Sequence, residues 1–155
     1  MHTPSLQRSL ASLSAASILF AAACSGGPAA PATMDGAIAA LMARPELPDA
    51  AITVQHVLIA FEGKVPGVTR SQPQAKELAE KVWAEATGGA DFKALMKQHS
   101  NDPGPGEYPM TKQGRQQMVA GFGDVGFRLA VGQIGVAPFD AKASPYGWHI
   151  IKRVK

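Results

Sequence analysis

Two β-branched, apolar runs far apart in the chain each carry one central histidine: Gln55-His56-Val57-Leu58-Ile59 and Gly147-Trp148-His149-Ile150-Ile151-Lys152. Runs of this composition read as strands. Strand side chains alternate between faces, so His56 shares a face with Val54 and Leu58, and His149 shares one with Ile151. If the two strands are neighbours in one sheet, both imidazoles converge on a single buried spot, where each needs a hydrogen-bond partner. The plainer alternative is two unrelated core histidines, each satisfied locally.

Between these runs the periodicity becomes helical. Ser71-Gln72-Pro73-Gln74 has the form of a capping box, and Ala75, Leu78, Ala79, Val82, Trp83 and Ala86 follow at the spacing of one buried stripe. Gly88 and Gly89 end that helix. Asp91 is placed to cap a second helix, whose apolar side is Phe92, Leu95 and Met96. A third, through Phe122, Val125 and Leu129, contains Gly121, Gly123 and Gly126, each costing about 1 kcal/mol against alanine. Helices inserted between alternating end strands suit an α+β domain with an antiparallel sheet.

The first 50 residues read differently. One cation, Arg8, precedes an uncharged apolar run from Leu10 to Ala23, which is followed by Cys24. The run is shorter than the ~20 residues a spanning helix needs and has the length of a signal-peptide core. Ala21, Ala22 and Ala23 directly before the sole cysteine resemble a bacterial lipobox. Cleavage there makes residues 1–23 a signal peptide and leaves Cys24 as a lipidated N-terminus. The alternative is an ordinary secretory signal with a leftover thiol, an odd residue to keep in an exported chain with no internal disulfide partner. Ser25 rather than Asp after the cysteine, by resemblance to sorted lipoproteins of Gram-negative bacteria, implies the outer membrane, with the protein facing the periplasm. Residues 24–51 then read as the lipidated cysteine and a flexible tether, rich in Gly, Pro and Ala, with room for a turn or two of helix over Ala37–Ala43 before Pro45 and Pro48 stop it. The folded domain is expected to span residues 52–155.

Taken in order, the first histidine strand, Gly88-Gly89-Ala90-Asp91-Phe92, Ser100-Asn101-Asp102, Met118-Val119-Ala120-Gly121-Phe122, Phe127-Arg128-Leu129, Gly132-Gln133-Ile134 and Gly147-Trp148-His149-Ile150-Ile151 resemble the parvulin family of peptidyl-prolyl cis-trans isomerases. The resemblance covers Ile52 to Lys155. It implies a small antiparallel sheet surrounded by about four α-helices and a folding role for exported or envelope proteins, bound through proline-containing segments. It also implies a catalytic set of His56, Asp102, Ser144 and His149, with the Ser144 hydroxyl bonding the histidine pair. Met118 and Phe122 match the proline-pocket positions, with Phe127 and Leu129 completing the wall. Apart from the resemblance, Met118 and Phe122 read as plain core packing, and Asp102 as a turn residue before Pro103. The family's usual Gly-Gly-Asp-Leu-Gly turn is replaced by Gly106-Glu107-Tyr108-Pro109, bordering the expected cleft. That change favours the alternative of a non-catalytic lipoprotein holdase gripping proline-containing or unfolded segments.

The remaining features restrict function further. A net charge of +3 is spread along the chain without a basic run interleaved with aromatics, so nothing points to nucleic acid. His56, His99 and His149 match no zinc spacing, and no cofactor is implied. Lys64 and Arg70 flank the loop after the first strand, where phosphate-selective parvulins carry basic residues. Two cations around Pro66 and Gly67 are more simply a solvated loop.

Overall fold

The computed structural model describes residues 33–155, so the expected signal peptide and Cys24 lie outside the described residues. The longest strand, β1 (Ala51–Ala60), pairs antiparallel with β2 (Glu107–Thr111) on one side and β4 (Gly147–Arg153) on the other, and β4 pairs with β3 (Ile134–Ala137). The resulting order is β2-β1-β4-β3, antiparallel throughout. β1 and β4 are buried along most of their length because helices cover both faces. On one face, α2 (Gln72–Thr87) and α3 (Phe92–His99) pack against Val57, Ile59, Trp148 and Ile150. On the other, α4 (Ala120–Gly126) packs Phe122 and Val125 near Val54, Ala137 and Ile151. This is the α+β arrangement expected from the sequence.

Local chemistry explains the boundaries. Ser71 Oγ accepts from the Gln74 amide, and Gln74 Oε1 accepts from the Ser71 amide, closing the capping box of α2. Ala75, Ala79, Val82 and Ala86 form its buried stripe. Asp91 caps α3 by accepting from the Lys93 amide. The glycines of α4 lower its helix propensity but let it lie close to the sheet. A Cβ on Gly126 would sit 3.0 Å from Met110 Cε and 3.1 Å from Ile52 Cδ1. The helix ends at Gly126, short of Leu129.

The expected tether is corrected over its second half. Residues Met34–Met42 form α1, capped by Thr33, and the helix straddles the β3 end of the sheet. Met34 joins the core on the α2 face and Leu41 joins the core on the α4 face. Burying side chains of this size contributes roughly 1.5–3 kcal/mol each, which outweighs the weak helix propensity of a Gly-containing segment. The loop after α1 is fixed as well. Glu46 Oε1 accepts from Arg115 Nη1 at 2.7 Å, Leu47 O accepts from Lys112 Nζ at 2.7 Å, and Asp49 Oδ2 accepts from the buried Arg153 at 3.1 Å. The folded unit therefore already includes Thr33, well before Ile52.

Candidate active site

β1 and β4 bring the two histidines together in the way strand alternation predicts. His56 lies opposite Ile151, and Leu58 opposite His149, so the imidazoles are diagonal neighbours on the α4 face. Their rings stack with centroids 5.4 Å apart, and the two Nδ1 atoms are 3.3 Å apart. His56 Nε2 lies 2.9 Å from Asp102 Oδ2. Asp102 reaches this spot because the loop after α3 is tied to β1. Ser100 Oγ accepts from the Leu58 amide, Asn101 Oδ1 from the Ala60 amide, and Asn101 N donates to Leu58 O. Ser100-Asn101-Asp102 thus presents the carboxylate to the sheet.

The protonation states follow from these partners. Burial raises the Asp102 carboxyl, but bonds from Tyr108, His56 and the Gly104 amide outweigh it, and the group is held below its ordinary range. An ionised carboxylate only accepts, so His56 Nε2 carries the proton. Its Nδ1 then holds a lone pair and accepts from His149 Nδ1–H. Burial pushes His56 down despite the stabilising Asp102. It pushes His149 to about 3, with His56 adding to the effect. Both rings are neutral at pH 7, each in one tautomer.

Beside this network lies a cavity of about 280 Å³, lined by His56, Leu58, Asp102, Tyr108, Gln117, Met118, Val119, Phe122, Tyr146 and His149. Phe122 forms its floor. Its ring meets His56 edge-on at 4.9 Å and His149 at 5.8 Å, and it is only 1% exposed. Met118 is half-buried at the wall, and Tyr146 stands exposed at the rim.

Three of the expected site residues fall elsewhere. Phe127 and Leu129 are fully buried in the core and do not line this cavity. The α1 segment lies against them: Leu47 N donates to Phe127 O, and Leu41 and Leu129 meet at Gly135. Lys112 and Arg115 also cover the Phe127 ring. Ser144 is buried, but its hydroxyl makes no bond to either histidine. It sits over the start of α4, where a Cβ on Gly121 would come within 2.4 Å of its Oγ. His149 Nε2 likewise has no hydrogen bond among the described residues. The cations beside the first loop are engaged too. Arg70 donates to Ala60 O and Asn101 Oδ1, and Lys64 lies over the Phe61 and Phe139 rings.

Sequence reasoning missed Tyr108, which reaches the site from β2 and donates to Asp102 Oδ2 at 2.7 Å. Pro109 and Glu107 make that segment look like a turn, yet proline is tolerated on an edge strand. The available signal was Tyr108 two residues beyond a glycine turn, opposite the His56 strand.

Residues 37–155 match the family described as the PPIC-type PPIase domain. Foldase protein PrsA 4 of Bacillus cereus is 34% identical over 103 residues, covering 65% of this chain and 30% of that protein. Chaperone SurA of Pseudomonas fluorescens is 32% identical over 105 residues, covering 65% of this chain and 22% of that protein. The match thus spans less than a third of either relative. Among solved structures, peptidyl-prolyl isomerase ESS1 from Candida albicans superposes with a TM-score of 0.56 at 19% identity, covering 72% of this chain and 66% of that one, a likeness of fold.

Proposed function

The chain belongs to the PPIC-type peptidyl-prolyl isomerase family, the parvulins, and from that premise we propose that its cleft accelerates cis-trans exchange of X-Pro bonds in exported or envelope proteins. The observation that carries this reading is an ionised, anchored carboxylate at the edge of a small cavity with Leu58, Met118, Val119 and Phe122 in its wall. An X-Pro bond rotates over a barrier of ~18–20 kcal/mol that amide resonance creates. That resonance places negative charge on the carbonyl oxygen. Met118, Phe122, Leu58 and Val119 hold the proline ring and exclude water, while the Asp102 carboxylate disfavours a charged carbonyl oxygen beside it. Twisting the bond reduces that charge, so the site favours the twisted state over the planar one. His56 and His149 keep the carboxylate in place and complete the dry surface beneath the amide. Ser144, Phe127 and Leu129 support this floor without touching substrate. Rotation makes and breaks no covalent bond, so the proposed step calls for neither a metal nor a cofactor.

The names foldase and chaperone among its relatives support protein chains as the clients. The uncharged run Leu10–Ala23 and the sole cysteine support a lipid anchor on Cys24 after removal of residues 1–23, with the outer membrane as the site and the periplasm as the working compartment. Exchange spectroscopy on an Ala-Pro peptide with residues 33–155 tests the activity. The expected result is exchange well above the spontaneous rate, with Asp102→Asn lowering turnover about a hundredfold, the scale of losing one preorganised electrostatic group. Binding without faster exchange would instead make the protein a holdase.

A further inference from the structure

Asp102 Oδ2 accepts two hydrogen bonds, one from His56 Nε2 at 2.9 Å and one from the Tyr108 hydroxyl at 2.7 Å. We propose that Tyr108 is a positioning residue for the isomerase reaction: by donating to Asp102 it fixes the carboxylate's orientation and charge, and through it the tautomers of His56 and His149. The inference rests on the isomerase reading above and concerns how this chain, with its own turn at residues 106–109, prepares the site.

The local backbone is built for that bond. Tyr108 lies opposite Val54, placing its ring on the same face as His56. Gly106 takes φ +72°, a left-handed conformation suited to glycine, and its carbonyl accepts from the His56 amide at 2.9 Å, docking the start of β2 onto the histidine strand. Gly104 leaves room for the hydroxyl: a Cβ there would lie 2.1 Å from Tyr108 Oη. The Gly104 amide donates to Asp102 Oδ1 at 3.2 Å, so both carboxylate oxygens are held. Packing alone would be met by phenylalanine. The ring stands edge-on to Phe122 at 6.1 Å and beside His56 at 5.4 Å, contacts that do not involve the hydroxyl. What tyrosine adds is the donor. Burial and the Asp102 carboxylate push its phenol up to about 12, so it stays protonated at neutral pH.

The tautomers depend on this arrangement. With Oδ2 pinned between two donors, Asp102 accepts from His56 Nε2–H, and the remaining Nδ1–Nδ1 contact has one polarity, His149 to His56. With the tyrosine donor gone, His56 alone holds Oδ2, and the carboxyl is easier to protonate or rotate. Other charged groups around the Asp102 groove are Lys93 and Lys97 on α3 and Glu107 on β2, the last already bonded to Gln55.

The test uses the full chain labelled with ¹⁵N at histidine, read by tautomer-sensitive spectra, together with the pH profile of kcat/KM on an Ala-Pro peptide. In the parent, His56 should be protonated at Nε2 and His149 at Nδ1. In Tyr108→Phe, His56 should lose its single-tautomer signature, and kcat/KM should fall roughly tenfold, the scale of losing a hydrogen bond to a charged group. The acid limb should move to higher pH, because loss of the donor raises the Asp102 carboxyl toward its ordinary range. Gly104→Ala keeps the tyrosine but occupies the space of its hydroxyl, and should give the same pattern. A hydroxyl of structural value alone would lower the Tm while leaving the acid limb and the His56 tautomer as in the parent, and that result overturns the proposal. If the parent itself shows no catalysed exchange, the isomerase reading fails, and the histidine spectra still decide what Tyr108 does.

Discussion

His149 is the residue most at odds with its surroundings: a titratable ring 4% exposed, neutral, and with one nitrogen lacking a hydrogen bond among the described residues. Its folded pKa of about 3 lies below the ordinary 6.5. The unfolded chain therefore binds more protons between those values, and stability must fall as pH drops below about 6.5. From pH 7 to pH 5 this one residue should remove about 2 kcal/mol, read as a lower urea midpoint at constant m. His149→Gln should flatten that dependence, and an unchanged slope would mean the ring is not buried neutral. The two pocket residues separate in a similar experiment. Phe122, 1% exposed, is both cavity floor and core, so Phe122→Ala should lose about 3–5 kcal/mol as well as activity. Half-buried Met118 belongs to the wall, and Met118→Ala should raise KM with less destabilisation than the about 2–5 kcal/mol of a fully buried methionine, seen by comparing denaturation midpoints with peptide titrations. Equal stability losses would place Met118 in the core instead.

At the scale of elements, α1 and the loop behind it change how the cleft is supported. Glu46 clamps Arg115, three residues before Met118, and Arg115 also pairs with Asp124 of α4. The N-terminal segment thus braces the turn that carries the pocket wall. Leu41→Ala should cost about 2–5 kcal/mol, the figure for a buried leucine, measured by thermal or urea unfolding. A tether residue would cost almost nothing, and a null effect would show that α1 does not dock. The sequence made the histidine strands, the α2 capping box and the Asp91 cap legible because each rests on contacts within a few residues or on simple alternation. It understated α1, since nine residues with a glycine near the start and proline-rich flanks look like linker, and its core contacts, through Met34, Leu41 and the partly buried Ile38, are with residues far along the chain. The same blindness misassigned Phe127 and Leu129. The parvulin resemblance implies a place for them in the pocket wall, but the segment that lies against them, Leu41 to Leu47, is 80 or more residues earlier in the chain. Tyr108 escaped because its partner, Asp102, belongs to the preceding loop, and no periodicity reports a cross-loop hydrogen bond.

For the whole molecule, docking of α1 shortens the distance between the proposed anchor and the cleft. Thr33 already belongs to the folded unit, so the nine residue steps from Cys24 to Thr33 can span at most about 32 Å at ~3.5 Å per residue. A tether reaching to Ala50 would have let the domain range farther from the bilayer. The cleft would then work close to the membrane surface. Two or three acyl chains on Cys24 would hold the protein stably, since each buried CH₂ contributes ~0.8 kcal/mol and a single chain binds only marginally. Among the described residues no helix is long and apolar enough to cross a membrane. Cys24→Ser should abolish lipid modification, leaving the chain either uncleaved or released in soluble form, while peptide exchange by the domain is unaltered. Mass spectrometry of the mature N-terminus is the deciding measurement. A diacylglyceryl cysteine at position 24 supports the anchor, and an unmodified thiol or cleavage at another bond would remove it while leaving the isomerase chemistry of the cleft intact.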